Sequence, residues 1–157
     1  MSIDGVDFPI NEPHPFNTCW YSHKSNGPAV RYETGVSIYK GHFVWLNGPF
    51  PAGSYPDVNI FRSSLKSKLD SEEFVITDRG YPDEKCLSRS FDLPDGKSAV
   101  IRSRHETLHS RLKSFSILRN IYRHDLDKHC FVTQAVSNLV QLTILFEHPL
   151  FYIDGLE

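Results

Sequence analysis

The chain has 157 residues, with 17 basic and 19 acidic side chains and a formal net charge of −2 at pH 7. This length predicts one domain over residues 1–157, and the near balance of charge identifies no class of partner by itself. The three cysteines are odd in number and widely spaced, which excludes a disulfide framework and favours a reducing compartment.

The N-terminus lacks the charged and apolar regions of a signal peptide. The apolar stretch 135–146 is interrupted by polar residues, and we expect it to be too short and too polar to span a bilayer. We therefore expect an intracellular protein with no membrane partner.

Charge is distributed unevenly along the chain. Before Lys97, 13 acids oppose 9 bases, whereas from Lys97 onward 8 bases oppose 6 acids. Eight bases and only three acids lie between Lys97 and Lys128. A basic segment inside an acidic chain predicts a surface that faces phosphate groups.

The first half of the chain predicts a strand, a hairpin and a helix. Residues 2–10 are strand-like and carry Asp4, and the segment 11–27 is a loop whose Phe16, Trp20 and Tyr21 we expect to lie across the core. Residues 29–39 and 42–46 form an antiparallel hairpin, in which Gly35 marks a bulge. A loop over 47–55 follows.

A helix begins at Asp57, whose carboxylate suits a helix N-terminus both as a capping oxygen and by charge. One apolar stripe follows it, formed by Val58, Phe61, Leu65 and Leu69.

The second half predicts one strand that ends at an acid, and then mainly helices. Residues 74–77 lead into Asp78, after which Gly-Tyr-Pro ends the strand. A polar connection over 83–96 and a short strand over 99–101 come next. A helix over 103–115 has Ser103 as its predicted N-cap, and an apolar helix covers 131–146.

This order of elements predicts an α/β fold with a mixed sheet of about five strands flanked by helices. It is the element order of an RNase H-like domain.

Three carboxylates are candidates for a metal site, because hard divalent cations prefer oxygen ligands. We expect the strands that carry Asp4 and Asp78 to be neighbours, and a helix that crosses near them would add Glu106. Asp7 is a rival to Asp4, and Glu106 would also complete a capping box with Ser103. Two such ions activate an attacking oxygen and stabilise the leaving oxygen in phosphodiester cleavage.

Four motifs carry a resemblance to a known family. They are Ile3–Ile10 (IDGVDFPI), Asn47–Asp57 (NGPFPAGSYPD), Thr77–Pro82 (TDRGYP) and Arg104–Lys113, which contains His-Glu-Thr followed by Arg-Leu-Lys. In this order they resemble the catalytic domain of Harbinger-type DDE transposases, the DDE superfamily endonucleases. The resemblance covers nearly the whole chain.

The resemblance implies an RNase H-like fold and a two-metal cleavage and joining of DNA. It implies Asp4, Asp78 and Glu106 as catalytic ligands of two Mg²⁺ or Mn²⁺ ions. The implied partners are DNA, as transposon ends and target, a separate DNA-binding subunit and further copies of the chain, in the nucleus. Asp4 lies close to Met1, so we expect a copy that is shortened at its N-terminus.

The basic residues near Glu106 are candidates for contact with DNA phosphates, with a solvated helix face as the alternative. They are Arg102, Arg104, Arg111 and Lys113. A second function is also consistent with the chain, namely a catalytically inactive, transposase-derived protein that binds DNA or another protein. His124, His129 and Cys130 make a poor zinc site, since no fourth ligand has matching spacing.

Overall fold

A computed structural model describes residues 1–78, 81, 87–89 and 97–151 and shows one mixed sheet with helices on both faces. Within these residues the strands are β1 (Ser2–Pro9), β2 (Tyr21–Ser22), β3 (Gly27–Val36), β4 (Phe43–Pro51), β5 (Val75–Thr77) and β6 (Leu87–Arg89). The helices are α1 (Asp57–Ser63), α2 (Lys97–Ser114), α3 (Ser116–Arg119) and α4 (His129–Phe146). Short 3-10 turns cover Thr18–Trp20, Leu65–Lys68 and Leu126–Lys128.

The sheet has the strand order β4-β3-β1-β5-β6, and β2 adds two residues beside the start of β3. Strand β3 is antiparallel to both of its long neighbours, β1 and β4. Strands β1, β5 and β6 run parallel to one another. The predicted α/β class and mixed sheet are thus confirmed.

Strand β1 divides the interior into two apolar cores because successive side chains point to opposite faces. Val6 and Phe8 face the helices α2 and α4 and belong to the larger core. Ile3 faces α1 and belongs to a smaller core with Phe61 and Val75. The two faces are called here the α2 face and the α1 face.

The predicted hairpin is confirmed with shifted bounds. Strand β3 covers Gly27–Val36, and the predicted bulge at Gly35 coincides with a register shift between Gly35 and Val36. Strand β4 continues to Pro51 through residues predicted as loop. It does so because the pairing with β3 extends to Val30, and this long-range pairing outweighs the local turn propensity of Gly and Pro.

Helix α1 is shorter than predicted. It ends at Ser63, and the chain continues as a 3-10 turn, so the apolar stripe bends while Phe61 and Leu65 stay buried. The capping role predicted for Asp57 is wrong. Pro56 occupies the N-cap position, and no side chain caps the helix there.

Helix α2 corrects two further predictions. The strand predicted over 99–101 is wrong, since these residues lie inside a helix that starts at Lys97. Ser103 is therefore not an N-cap, and its carbonyl accepts a hydrogen bond of 2.8 Å from Thr107 Oγ1 in the helix interior. Local β-branched residues favoured a strand, but Ile101 is buried inside helix α2 by contacts with distant parts of the chain.

Helix α4 begins two residues before its predicted start and packs on the α2 face through residues such as Val136 and Val140. By length and composition alone, the segment 126–146 would be able to cross a membrane, contrary to expectation, although buried helices of folded domains share these properties.

Trp20 packs against the larger core as expected, whereas Phe16 is 54% exposed and does not. Most of the polar connection 83–96 lies outside the described residues, and β6 is a strand that the sequence did not predict.

Candidate metal centre

The register of the central strands brings two aspartates to the same level. Strands β1 and β5 are parallel, and Ser2 lies opposite Ile76. Two residues further along, Asp4 on β1 and Asp78 directly after β5 come to the same level. Strand β5 ends at Thr77, so Asp78 lies at its carboxyl end, the position where ligands bind to α/β sheets.

Helix α2 closes the third side of this place. A cavity of about 170 Å³ lies between the first residues of β1, the carboxyl end of β5 and the second and third turns of α2. Its lining residues are Ser2, Ile3, Asp4, Ile76, Thr77, Asp78, Ile101, Arg102, His105 and Glu106. The structure therefore brings together the three carboxylates that the sequence singled out, from three separate elements.

Asp4 is held in an environment that disfavours its charge. Its pKa is raised to about 6, chiefly by burial and also by the neighbouring charges of Asp78 and Asp57, while Lys24 and a hydrogen bond from the Gly5 amide oppose the shift. The Gly5 amide donates to Asp4 Oδ1 over 2.7 Å. The Lys24 ammonium is engaged elsewhere, by the Gly5 carbonyl at 3.3 Å and by Asp57 at 3.4 Å. Asp4 thus carries a charge that its own protein surroundings do not fully compensate.

Two histidines of α2 lie beside Asp4, and the sequence analysis did not single them out. His105 and His109 are one helical turn apart, and one ligand atom from each, with one from Asp4, lies within 4.8 Å of the others. His109 Nδ1 is 3.9 Å from Asp4 Oδ2. The i, i+4 spacing on a predicted helix was the signal that could have found them.

The four basic residues predicted to face DNA are placed differently from one another. Arg102 is exposed and lines the cavity. Arg104 is only 1% exposed, and its guanidinium donates to the carbonyls of Ile38 and Phe151. Its predicted contact with DNA phosphates is contradicted by this placement, because the side chain is used inside the fold.

Arg111 and Lys113 are half-buried near the end of α2. The Arg111 guanidinium donates to the His148 carbonyl, which ties α2 to the chain after α4. Both remain candidates for phosphate contact together with Arg102.

Asp7, the rival of Asp4, lies on the α1 face inside a closed ion pair. Its carboxylate accepts from Arg31 Nε at 2.7 Å and Nη2 at 2.8 Å, and from Ser22 Oγ at 2.5 Å. Burial raises the pKa of Asp7, but the hydrogen bonds from Arg31 and Ser22 outweigh burial and hold it below its usual value. This carboxylate is satisfied within the protein, so Asp4 is the better candidate ligand.

Comparison with protein families identifies the class of this chain. The family model described as DDE superfamily endonuclease matches residues 3–143, and the chain belongs to this family. Searches of curated proteins and of solved structures gave no significant match. The family indicates a nuclease of the transposase type that acts on DNA, and divalent metals are its general cofactors.

Proposed function

We propose that the chain is the catalytic domain of a Harbinger-type transposase, which cleaves and joins DNA phosphodiesters with two divalent metal ions. Asp4, Asp78 and Glu106 are the proposed catalytic ligands. The observation that carries the proposal is that these side chains, 74 and 28 residues apart along the chain, line one cavity.

An RNase H-like arrangement is part of this proposal. The sheet order β4-β3-β1-β5-β6, with only β3 antiparallel to its long neighbours, supports it. The proposed site lies where β1 and β5, two parallel strands, meet α2. Such a crevice outside strand ends is a common ligand site in α/β sheets.

The donor set fits the proposed ions. Three carboxylates offer only oxygen ligands, the class that Mg²⁺ and Mn²⁺ take. Burial raises the pKa of Asp4, and Asp78 adds to this effect, so a cation between them would relieve a repulsion present in the protein alone. The cavity is also open to solvent at the exposed side chains Arg102 and Glu106.

The residues of the chain have distinct parts in the proposed reaction. Asp4 and Asp78 would hold the cations from the strands, and Glu106 would hold them from the helix. Arg102, exposed at the same cavity, binds a backbone phosphate and orients the strand to be cut. When bound, two divalent cations supply Lewis acidity to the scissile phosphate and stabilise the attacking and leaving oxygens.

The test is nicking of supercoiled plasmid DNA in Mg²⁺ or Mn²⁺. Because each ligand supports several kcal/mol of transition-state stabilisation, Asp78→Asn and Glu106→Gln should each slow nicking by at least about 10³-fold. Glu12→Gln, an exposed acid remote from the cavity, is the matched control and should nick like the wild type. Nicking that survives in Asp78→Asn with unchanged metal dependence would contradict the proposal.

The second candidate is a catalytically inactive DNA- or protein-binding remnant. The burial of Arg104 favours it, because one of the four predicted phosphate contacts is used inside the fold. Wild-type protein that binds DNA but cuts it in neither metal would support the remnant. Action in the nucleus, and a separate DNA-binding subunit, belong to the transposase proposal and depend on it.

A further inference from the structure

A second set of candidate ligands, different in chemistry from the three carboxylates, lies at the edge of the cavity, where Asp4 and His105 line it and His109 lies behind them. His105 and His109 follow each other by one turn on α2 and both approach Asp4. His105 is almost fully buried, although a histidine ring carries two polar nitrogens that need partners.

The hydrogen bonds of the two rings define which nitrogens are free. His105 Nε2 lies 2.9 Å from Ser2 Oγ, and His109 Nε2 lies 2.9 Å from Thr34 Oγ1. Both hydroxyls already donate to backbone carbonyls, Ser2 to that of Val36 and Thr34 to that of Asp4. A hydroxyl has one proton, so a hydroxyl that donates to a carbonyl accepts from the ring, and on this basis we assign the ring proton of both histidines to Nε2.

This tautomer leaves a lone pair on the Nδ1 atom of each ring. His105 Nδ1 is buried and has no hydrogen-bond partner among the residues that the structure describes. His109 Nδ1 points toward the Asp4 carboxylate at 3.9 Å.

We propose that Asp4, His105 and His109 form a binding site for a first-row transition metal ion such as Zn²⁺ or Co²⁺. Imidazole nitrogens suit these ions, whereas Mg²⁺ prefers oxygen. The hydroxyls of Ser2 and Thr34 orient the ligands through the opposite ring nitrogen, as outer-shell partners of metal-bound histidines do.

The spacing is compatible with a bound ion. With bonds of about 2.0–2.2 Å, two ligands of a tetrahedral zinc ion lie about 3.4 Å apart. One ligand atom from each of the three residues lies within 4.8 Å of the others, so these atoms would close by up to about 1.4 Å on binding. Three protein ligands would leave a fourth position for water or another ligand, as in open zinc sites.

This site does not rest on the proposed nuclease function. It shares Asp4 with that function but needs neither Asp78 nor Glu106. Asp78→Asn should therefore lose nicking and keep zinc, so the failure of one proposal can be told from the failure of the other.

Metal binding to the metal-free protein tests the site. Calorimetry with Zn²⁺ should show one ion per chain, and Co²⁺ should develop the intense visible bands of a low-coordinate, nitrogen-ligated ion. Loss of an outer-shell partner alone costs about 10–100-fold in affinity, so His105→Gln and His109→Gln should each weaken Zn²⁺ by at least about 100-fold. His124→Gln, an exposed histidine, is the matched control.

Glutamine keeps the size and polarity of the ring site, and circular dichroism will show whether each variant folds. Should one of them not fold, Thr34→Val, which removes an outer-shell partner, should still weaken Zn²⁺ by about 10–100-fold. The site is refuted by no Zn²⁺ binding to the wild type, by equal affinity in the histidine variants, or by the weak spectrum of oxygen-ligated Co²⁺.

Discussion

Asp4 and Asp7 lie three residues apart on one strand, yet their surroundings shift the two pKa values in opposite directions. On the α1 face, Asp7 is enclosed by Arg31 and Ser22, and these hydrogen bonds outweigh burial and lower its pKa. On the α2 face, Asp4 lacks such a partner, and burial raises its pKa to about 6. An odd separation on a strand places two side chains on opposite faces, which is the origin of the difference.

The comparison teaches how a structural acid differs from a candidate functional one. A buried carboxylate paired with arginine is satisfied by the protein and contributes to the fold. A carboxylate that faces other acids in a cavity has its charge balanced only when a cation binds from solution. We therefore expect substitutions on the α1 face to have large effects on stability, and substitutions on the α2 face to have large effects on activity.

Removal of Arg31 should give the largest effect on stability. Arg31→Met leaves the buried Asp7 unpaired and removes the 3.5 Å contact with Asp57, so we expect a loss of about 3–5 kcal/mol in the free energy of unfolding. Urea denaturation measures this change. Arg123→Met, at an exposed position, is the control and should change stability little.

A double-mutant cycle sharpens the same comparison. Arg31→Met combined with Asp7→Asn should lose less stability than Arg31→Met alone, because no buried charge then remains at Asp7. If the double variant loses as much free energy of unfolding as the two single variants together, the ion pair does not couple these residues. The contrast with Asp4 then weakens.

Gly5, between the two aspartates, should show the next effect. A Cβ atom there would lie 2.2 Å from Asp57 Oδ1, and Lys24 and Arg31 hold that carboxylate in place. We expect Gly5→Ala to lose about 1–3 kcal/mol through overpacking, measured in urea. Gly27→Ala, on β3 with open space around it, is the matched control.

Combination with Asp57→Ala distinguishes a steric cause from a loss of backbone freedom. The destabilisation by Gly5→Ala should become smaller in this background, since the clashing carboxylate is gone. An unchanged effect would show that the close approach of Asp57 is not the reason for glycine at this position.

Glu33 is the exception on the α1 face and gives a smaller effect that depends on pH. Burial raises its pKa to about 7, although Trp45 Nε1 donates to it over 2.8 Å. Ionisation of a group with a raised folded pKa opposes folding, so its cost appears as pH rises from about 4.5 to about 7. Glu33→Gln should therefore stabilise the protein by on the order of 1–2 kcal/mol at pH 8 and have little effect at pH 4.

Unfolding free energies of the wild type and of Glu33→Gln across this pH range test the sign. The difference between them should grow with pH and level off above about 7. A constant difference would show that Glu33 does not titrate in the folded state, and the α1 face would then contain no unpaired acid of this kind.

Much of the candidate site could be predicted from local patterns. A run of β-branched residues that ends at an acid placed Asp78 at a strand end, and β1 was correctly assigned with Asp4 on it. The apolar stripe of α1 was also readable, because burial of one face imposes a helical period on the sequence, and the apolar composition of α4 indicated a helix there.

The start of α2, the length of β4 and the strand β6 could not be predicted in the same way. Each of these elements depends on pairing or packing with residues far along the chain, which local propensity does not record. Arg104 illustrates the limit most clearly, because nothing in its neighbours along the chain distinguishes a buried arginine from an exposed one.

The sequence by itself determined the kinds of side chain available and the elements that carry them. Three acids on two strands and a helix, in the order of a known family, were visible without coordinates. Only the tertiary structure decided which side chains lie next to these acids. The parallel register of β1 and β5 sets Asp4 level with Asp78, and the packing of α2 brings His105 and His109 beside Asp4. Such contacts form between residues that are distant in the chain, so the geometry of the fold, and not the local sequence pattern, determines which residues are in contact.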